Sequence, residues 1–314
     1  MLPQRHSFTS PLRYPGGKGM LSNFMKLVFL KNALLDGHYV ELYAGGAAIA
    51  WSLLFDEYVR HVHINDIDAA VFAFWVCVLN HTEELCKKIH DTPINMRTWQ
   101  RQRSILDQPA DHSQQELGFA AFFLNRTNRS GIMRGGVIGG KAQNGSWRLD
   151  ARFNKKDLNA RITRIARYAS RISLYNVDAA KLLRELVPKL PAQSLLYLDP
   201  PYYIKGKDLY EHHYTDSDHK TICHLLTSIH DRAWIVTYDN TPRVLRLYRG
   251  CRRIRYDLSY SAQDRYFGSE VMFFSNSIVH PRVLHPARIS AYDIRHISCS
   301  SADRIHKCSG SDLS

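Results

Sequence analysis

The apolar run Leu195-Leu196-Tyr197-Leu198 stops at Asp199-Pro200-Pro201-Tyr202, and that stop constrains the fold more than any other stretch of the chain. A short apolar run of this kind reads as a buried strand. Two successive prolines cannot continue a hydrogen-bonded ladder, so the tetrapeptide lies at the strand's carboxyl end. In an open α/β sheet that edge is where ligands bind. Proline has no N–H and offers only its carbonyl oxygen, and an ionised carboxylate is acceptor-only, so Asp199 and Pro200 present lone pairs to one place. Such a place suits an NH₂ group with two donors. An aromatic amine is a weak nucleophile because its lone pair is delocalised into the ring, and holding both hydrogens on fixed acceptors favours the pyramidal form that can attack. Tyr202 supplies a face for a planar base. The catalytic candidates are therefore Asp199, Pro200 and Tyr202. A plain turn whose Asp caps a helix explains one Asp and one Pro, but not the four residues in this setting.

Upstream, Tyr39 to Tyr43 reads as a strand, Ala44-Gly45-Gly46-Ala47-Ala48 as a turn opening a helix through Trp51 and Leu54, and His61 to Asn65 as a second strand ending at Asp66. A helix from Ala69 to Leu79 follows. This βαβ pattern has the logic of an adenosine half-site, where glycines let the backbone approach the cofactor and an acid after the second strand takes the ribose hydroxyls. Asp66 is the candidate acid, with Glu41 and Gly45 beside it on the cofactor side. Ile172 to Val177 returns to the sheet, and Asp178 follows where a third loop meets the cofactor's purine. Trp234 to Tyr238, Arg253 to Leu258 and Val271 to Ser275 read as further strands, the last two closing a hairpin across Ala262 to Ser269. The expected fold class is α/β, a Rossmann-like sheet. Residues 281–314 show no periodicity and are expected to form a weakly ordered tail.

The formal net charge is +13 over 314 residues, which points to a polyanionic partner. From Arg97 to Arg171 there are 15 Lys and Arg against 5 Asp and Glu, so one segment carries most of the field. Within it Phe122-Phe123-Leu124 leads into Asn125-Arg126-Thr127-Asn128-Arg129-Ser130-Gly131 and a glycine-rich loop. Amide and guanidinium groups on such backbone suit base-edge and phosphate contacts, which makes Asn125, Arg126, Asn128 and Arg129 the nucleic-acid-binding candidates. An Asn/Ser/Gly loop that caps its own backbone is the plainer alternative. A helix starts near Asn154 with Asp157 as capping partner. Its apolar positions Leu158, Ile162, Ile165 and Ile172 leave Arg161, Arg164, Arg167 and Arg171 on other faces, an arrangement that fits phosphate tracking and a solvated face equally well.

Other chemistries are excluded on spacing. Arg13-Tyr14-Pro15-Gly16-Gly17-Lys18-Gly19 is glycine-rich but lacks the G-x-x-x-x-G-K-[ST] spacing of a phosphate loop. His212, His213, His219, His224 and Cys223 match no zinc motif, and the zinc-deaminase pattern is absent. No metal is expected. The apolar run Val71 to Leu79 is too short to span a bilayer and the first ten residues lack a signal-peptide core, so a cytoplasmic protein without a membrane partner is expected. Cys77, Cys86, Cys223, Cys251, Cys299 and Cys308 include no C-x-x-C pair, and no disulfides are expected.

From Arg13 to Asn276 the chain resembles the DNA adenine methyltransferases, the family of the bacterial Dam methylases and their phage relatives. The resemblance is carried by Tyr14-Pro15-Gly16-Gly17-Lys18, the glycine turn after Glu41, Asp66, the Asn125 to Gly131 segment and Asp199 to Tyr202. It implies a discontinuous catalytic domain, 8–95 and 172–280, binding S-adenosyl-L-methionine, with a mainly helical target-recognition domain inserted at 96–171. By matching positions Tyr14 and Lys18 contact the cofactor, Asp66 holds its ribose, Asp199 lies between cofactor and target amine, and Arg126 with its neighbours meets double-stranded DNA. A monomer is expected. Two departures stand out: Ala47 replaces a further glycine of many members, and the recognition segment lacks the form found in the GATC enzymes, so their sequence specificity does not carry over. A cognate restriction endonuclease is neither implied nor excluded. An RNA or protein-amide methyltransferase, or an inactive DNA-binding relative, are the alternatives.

Overall fold

The computed structural model describes residues 9–14, 17–203, 214–261 and 265–295. Pro15, Gly16, His212, His213, Cys299, Cys308 and residues 262–264 and 296–314 lie outside them. Among the described residues the β-branched and aromatic runs become β1 (Gly37–Glu41), β2 (Val59–Asn65), β3 (Ile172–Tyr175), β4 (Ser194–Leu198), β5 (Ala233–Asp239), β6 (Arg252–Ser261) and β7 (Arg265–Phe274), as β-propensity dictates. They form one sheet in the order β3-β2-β1-β4-β5-β7-β6. Strands β1 to β5 are parallel, and β7 runs antiparallel between β5 and β6. The chain steps outward from β1 to β3, returns to the centre for β4 and then steps the other way. That reversal creates a crevice between the carboxyl ends of β1 and β4. Glu41 pairs with Tyr197 in the register, so the loops carrying Gly45 and Asp199 leave the sheet side by side.

All positions of β4 are buried, as a central parallel strand covered on both faces must be. Helices α1 (Ser22–Lys31), α2 (Ala48–Phe55) and α3 (Ala69–Asn80) cover one face through Phe24, Trp51 and Trp75. Asp68 starts α3 by accepting from Ala70 N at 2.8 Å, an N-cap that satisfies an otherwise orphaned donor. Between β2 and β3 the chain adds α4 (Thr82–Asp91), α5 (Met96–Asp107), α6 (Gln114–Thr127) and α7 (Lys155–Ala166). The opposite face is covered by α8 (Ala179–Leu186), α9 (Asp216–Ser228) and α10 (Pro242–Leu247), through Leu182, Leu226 and Val244.

The inserted segment shares its core with the sheet. Phe122 of α6 stacks on Phe74 of α3 with ring centroids 5.5 Å apart, and Phe119, Phe123 and Phe153 join the same apolar cluster as Trp51 and Tyr197. Asn154 caps α7 through Asp157 N at 3.1 Å, while the Asp157 carboxylate pairs with Arg161 at 2.6 Å rather than closing a capping box. The helix ends at Ala166, so Ile172 belongs to β3 and not to the apolar face of α7.

Two further expectations change. The hairpin is tighter than Ala262 to Ser269, because the ladder continues to Ser261 opposite Arg265; Tyr260, Tyr266 and Phe267 are all good strand formers. Residues 281–295 are not a loose tail. Ile289 and Ile294 are buried, Asn23 donates to Ile289 O at 2.7 Å, and His285 bonds Asp257 O at 2.9 Å. These anchors are spaced irregularly, which is why no periodicity announces them.

Candidate active site

The turn after β1 is held open by the residues around it. Gly45 adopts φ +45°, and a Cβ there would lie 2.9 Å from the Tyr14 ring, so a side chain would collide with Tyr14 and strain the backbone. Ala47 takes φ 49° and caps α2; its methyl tolerates a left-handed conformation at a cost of roughly 1–2 kcal/mol. The indoles of Trp75 and Trp51 donate to Gly45 O at 2.9 Å and Gly46 O at 3.1 Å. Asp66 accepts from Gly45 N at 2.8 Å and from Asp68 N at 3.0 Å. The acid expected beside a ribose thus also fastens the glycine turn. Asn65, which sequence reasoning passed over, donates to Leu42 O and Val177 O, both at 3.0 Å, and stitches the carboxyl ends of three strands together. Asp178 sits at that edge as the exposed N-cap of α8, accepting from Lys181 N at 3.1 Å.

Asp199 follows β4 directly. Its Oδ1 accepts from Thr237 Oγ1 at 2.7 Å, and its Oδ2 pairs with Lys18 Nζ at 3.0 Å. Lys18 opens a short 3-10 turn (Lys18–Leu21) and is almost fully buried, while the Asp199 side chain keeps 24% of its surface exposed. The ammonium also meets Glu270 Oε1 at 3.1 Å. Glu270, on β7, accepts from Tyr202 Oη at 3.2 Å and from Tyr256 Oη at 2.7 Å, and Lys18 Nζ lies 5.5 Å from the Tyr202 ring centroid. One buried network therefore orients the carboxylate and the aromatic face of the tetrapeptide. Pro200 is buried beside them. Burial first, then the charge of Glu270, raises the Asp199 carboxyl, opposed by Lys18 and the Thr237 hydroxyl.

Glu270, Thr237 and Tyr256 were not found from sequence. The only trace of Glu270 is a charged residue beside an apolar strand, and its cationic partner lies near the other end of the chain.

The nucleic-acid candidates separate into two groups. Asn125 is buried; it accepts from Arg13 N at 2.8 Å and donates to Arg13 O at 2.6 Å and Gly131 O at 2.8 Å. Asn128, also buried, accepts from Trp99 Nε1 at 2.7 Å and donates to Ile132 O and Met133 O at 3.0 and 2.7 Å. Arg126 is buried with Nε on Arg152 O at 2.8 Å and Nη2 on the same oxygen. Burial, then Arg13 and Arg161, lowers its pKa to about 9. These three side chains hold the loop and join it to the segment before Tyr14. Arg129 is exposed, its Nε 3.4 Å from Val137 O. Of the arginines expected on α7, Arg164 lies over Phe55 at 4.0 Å, while Arg171 lies beyond the end of the helix and pairs with Glu57 at 2.9 Å.

His219 bonds Tyr238 Oη at 3.1 Å and Cys223 Sγ lies on Leu247 O at 3.3 Å, so both are part of the packing. Among the described residues no group of three or more His, Cys, Asp or Glu is arranged to hold a metal ion, Cys77, Cys86, Cys223 and Cys251 are free thiols, and no helix is long and apolar enough to cross a membrane.

Burial raises Asp66 to about 7 and Glu41, which accepts from Ala50 N at 3.3 Å, to about 8. Between the ordinary carboxylate range and these values the folded state holds protons that the unfolded chain has released, so stability falls as pH rises. The buried histidines His63 and His219, lowered by desolvation to about 3 and 4, act in the opposite sense, but only below their ordinary value of 6.5. The thermal midpoint of the protein without added ligand is therefore expected to drop from about pH 6.5 to about pH 8.5. Glu41→Gln should flatten that drop; an unchanged profile would show that Glu41 does not contribute.

Residues 14–261 match the D12 class N6 adenine-specific DNA methyltransferase family. No curated protein sequence matches the chain. Among solved structures it is similar to a protein described as an RNA methyltransferase from Pyrococcus horikoshii, at 10% identity over 84% of this chain and 85% of that one, with a TM-score of 0.41. It is also similar to an rRNA methyltransferase from Streptomyces viridochromogenes, at 13% identity, 79% and 80% coverage and a TM-score of 0.34. A protein from M. capricolum solved with S-adenosyl-homocysteine is similar at 7% identity, 90% and 85% coverage and the same TM-score of 0.34. With its glycine turn and its Asp199 to Tyr202 tetrapeptide inside the matched span, the chain belongs to the D12 class N6 adenine-specific DNA methyltransferase family.

Proposed function

We propose that this methyltransferase transfers a methyl group from S-adenosylmethionine to the exocyclic amine of an adenine flipped out of duplex DNA. The observation that carries the reading is the oriented Asp199, held by Lys18 and Thr237 at the carboxyl end of β4 beside the Gly45 turn. The residues at that crevice fit the cofactor: the turn lets backbone come close, Tyr14 lines it, and Asp66 retains lone pairs for ribose hydroxyls, with Glu41 and Asp178 at the same edge. When bound, the cofactor would supply a sulfonium methyl carbon open to attack by an amine lone pair, the carbon–sulfur bond breaking so that the neutral thioether leaves. Asp199 and the Pro200 carbonyl hold the two amine hydrogens, and Asp199 stands as the acceptor for the proton the methylated amine sheds. Tyr202, pinned through its hydroxyl, stacks on the base and offsets part of the few kcal/mol that extrusion costs.

Expression in a host lacking adenine methylation, followed by modification-sensitive sequencing of its genome, tests the reading. Methylated adenine confined to a short motif supports it. Unmodified DNA from soluble protein that binds S-adenosylmethionine moves the substrate to RNA or protein, and absence of cofactor binding leaves an inactive DNA-binding relative.

Within the basic insert the reading gives exposed Arg129 a phosphate or base contact and gives buried Arg126, Asn125 and Asn128 an indirect role through the loop they hold. Arg129→Ala should reduce the slope of log K against log salt by about one. Arg126→Ala should weaken binding without changing that slope; a reduced slope in Arg126→Ala would make it a direct phosphate ligand.

A further inference from the structure

Four of the five tryptophans, Trp51, Trp75, Trp99 and Trp234, are buried, whereas Trp147 is 67% exposed. An indole held in water forfeits the largest apolar burial available to any side chain, yet the surrounding loop is built to keep it there. Gln143 Nε2 donates to Ile138 O at 2.7 Å and Gly140 O at 2.6 Å, and its Oε1 accepts from Leu149 N at 2.9 Å. That amide staples the two ends of the loop together. Leu149 is buried and anchors the chain just after Trp147. Gly139, at φ +81°, passes so close to the Trp147 carbonyl that a Cβ would lie 2.4 Å from it, so the approach needs a residue without a side chain.

The loop's charge and attachment indicate what the indole meets. Lys141, Arg148 and Arg152 flank it against a single acid, Asp150, and all four are exposed. The Arg152 guanidinium lies 5.8 Å from the Trp147 ring centroid. The Arg152 carbonyl is gripped by Arg126, whose neighbour in charge is Arg13, the residue before Tyr14. A pre-ordered aromatic face with cations beside it matches the chemistry of a nucleobase attached to phosphates: the ring stacks on the base while the cations meet the backbone. An apolar protein surface would gain nothing from those charges.

We infer that Trp147 is a base-stacking residue that contacts duplex DNA where the duplex is opened around the target adenine. This rests on the duplex-DNA reading above. Base stacking on an aromatic ring corresponds to roughly a 5- to 150-fold loss of affinity on alanine substitution.

Because Trp147 is the exposed indole among five, tryptophan emission reports on it separately from turnover. Sheared genomic duplex DNA, which contains every short site, is titrated into the full-length protein while a gel shift follows binding and acrylamide quenching follows the exposed indole. Bound DNA should protect Trp147 from acrylamide. Trp147→Ala should lose the quenchable component and bind roughly 5- to 150-fold more weakly, and Trp147→Phe should recover most of the affinity while its circular dichroism and melting match the wild type. Binding and methylation of duplex DNA with quenching unchanged, or with Trp147→Ala affinity unaltered, overturns this inference and leaves the proposed function standing. Absence of both binding and methylation on duplex DNA overturns the proposed function and the inference with it.

Discussion

Asp199→Ala is expected to fold, to bind DNA like the wild type and to lose turnover by a factor of at least about 10²–10³, the scale on which a positioned polar group acts in a transition state. The structure explains why the fold survives. Lys18 keeps Glu270 at 3.1 Å, and Thr237 Oγ1 lies 3.4 Å from Leu198 O, so both partners of the lost carboxylate retain an acceptor. Single-turnover methyl transfer beside a gel shift separates the two effects. Wild-type turnover in this variant would remove Asp199 from the chemistry. The acceptor role requires the ionised carboxylate, so wild-type turnover should fall as pH drops through a pKa above the ordinary 3.8. Asp199→Asn should abolish that acidic limb together with most of the rate.

Glu270→Ala is expected to be the most damaging single change to stability around the site, at about 3–5 kcal/mol, the cost of breaking a buried charged network by removing one partner. It deprives the Tyr202 and Tyr256 hydroxyls of their carboxylate and leaves the buried Lys18 ammonium to Asp199. Glu270→Gln keeps an acceptor in the same place and should be milder, which makes it the variant for kinetics. The charge of Glu270 is one of the causes that raise the Asp199 carboxyl, so in Glu270→Gln the acidic limb of turnover should move to lower pH, with DNA affinity unchanged. A limb that stays in place would show that the network is incidental to catalysis, and denaturation midpoints equal to wild type in Glu270→Ala would show that it is incidental to stability.

Asp199 and Glu270 differ in how far they could be seen before the structure. Asp199 is marked by an apolar run on one side and a proline pair on the other, and both marks are local. Glu270 stands beside a run of strand residues, and everything that gives it a role, Lys18, Tyr202 and Tyr256, comes from other elements. The recognition segment shows the same division. Its composition announced a basic, amide-rich loop, but an inward-facing Asn125 and an outward-facing Arg129 look alike in a sequence. Asn125 is held by backbone from Arg13 and Asn128 by the Trp99 indole, pairings that exist only once the segment before Tyr14 and α5 both pack against α6. Trp147 is hidden for the reverse reason: a lone tryptophan reads as core, and its exposure shows only in the folded loop that Gln143 ties together.

The sequence by itself determined the parallel strands at the sheet's centre, the glycine turn, the acid after the second strand and the tetrapeptide after the fourth, because hydrophobic period and proline or glycine punctuation act over a few neighbouring residues. The tertiary structure alone decided which polar side chains are buried, which charges share the Lys18 ammonium, and how far Asp66, Glu41 and Asp199 are shifted. Desolvation and Coulomb interaction act through space, and chain order carries no distance.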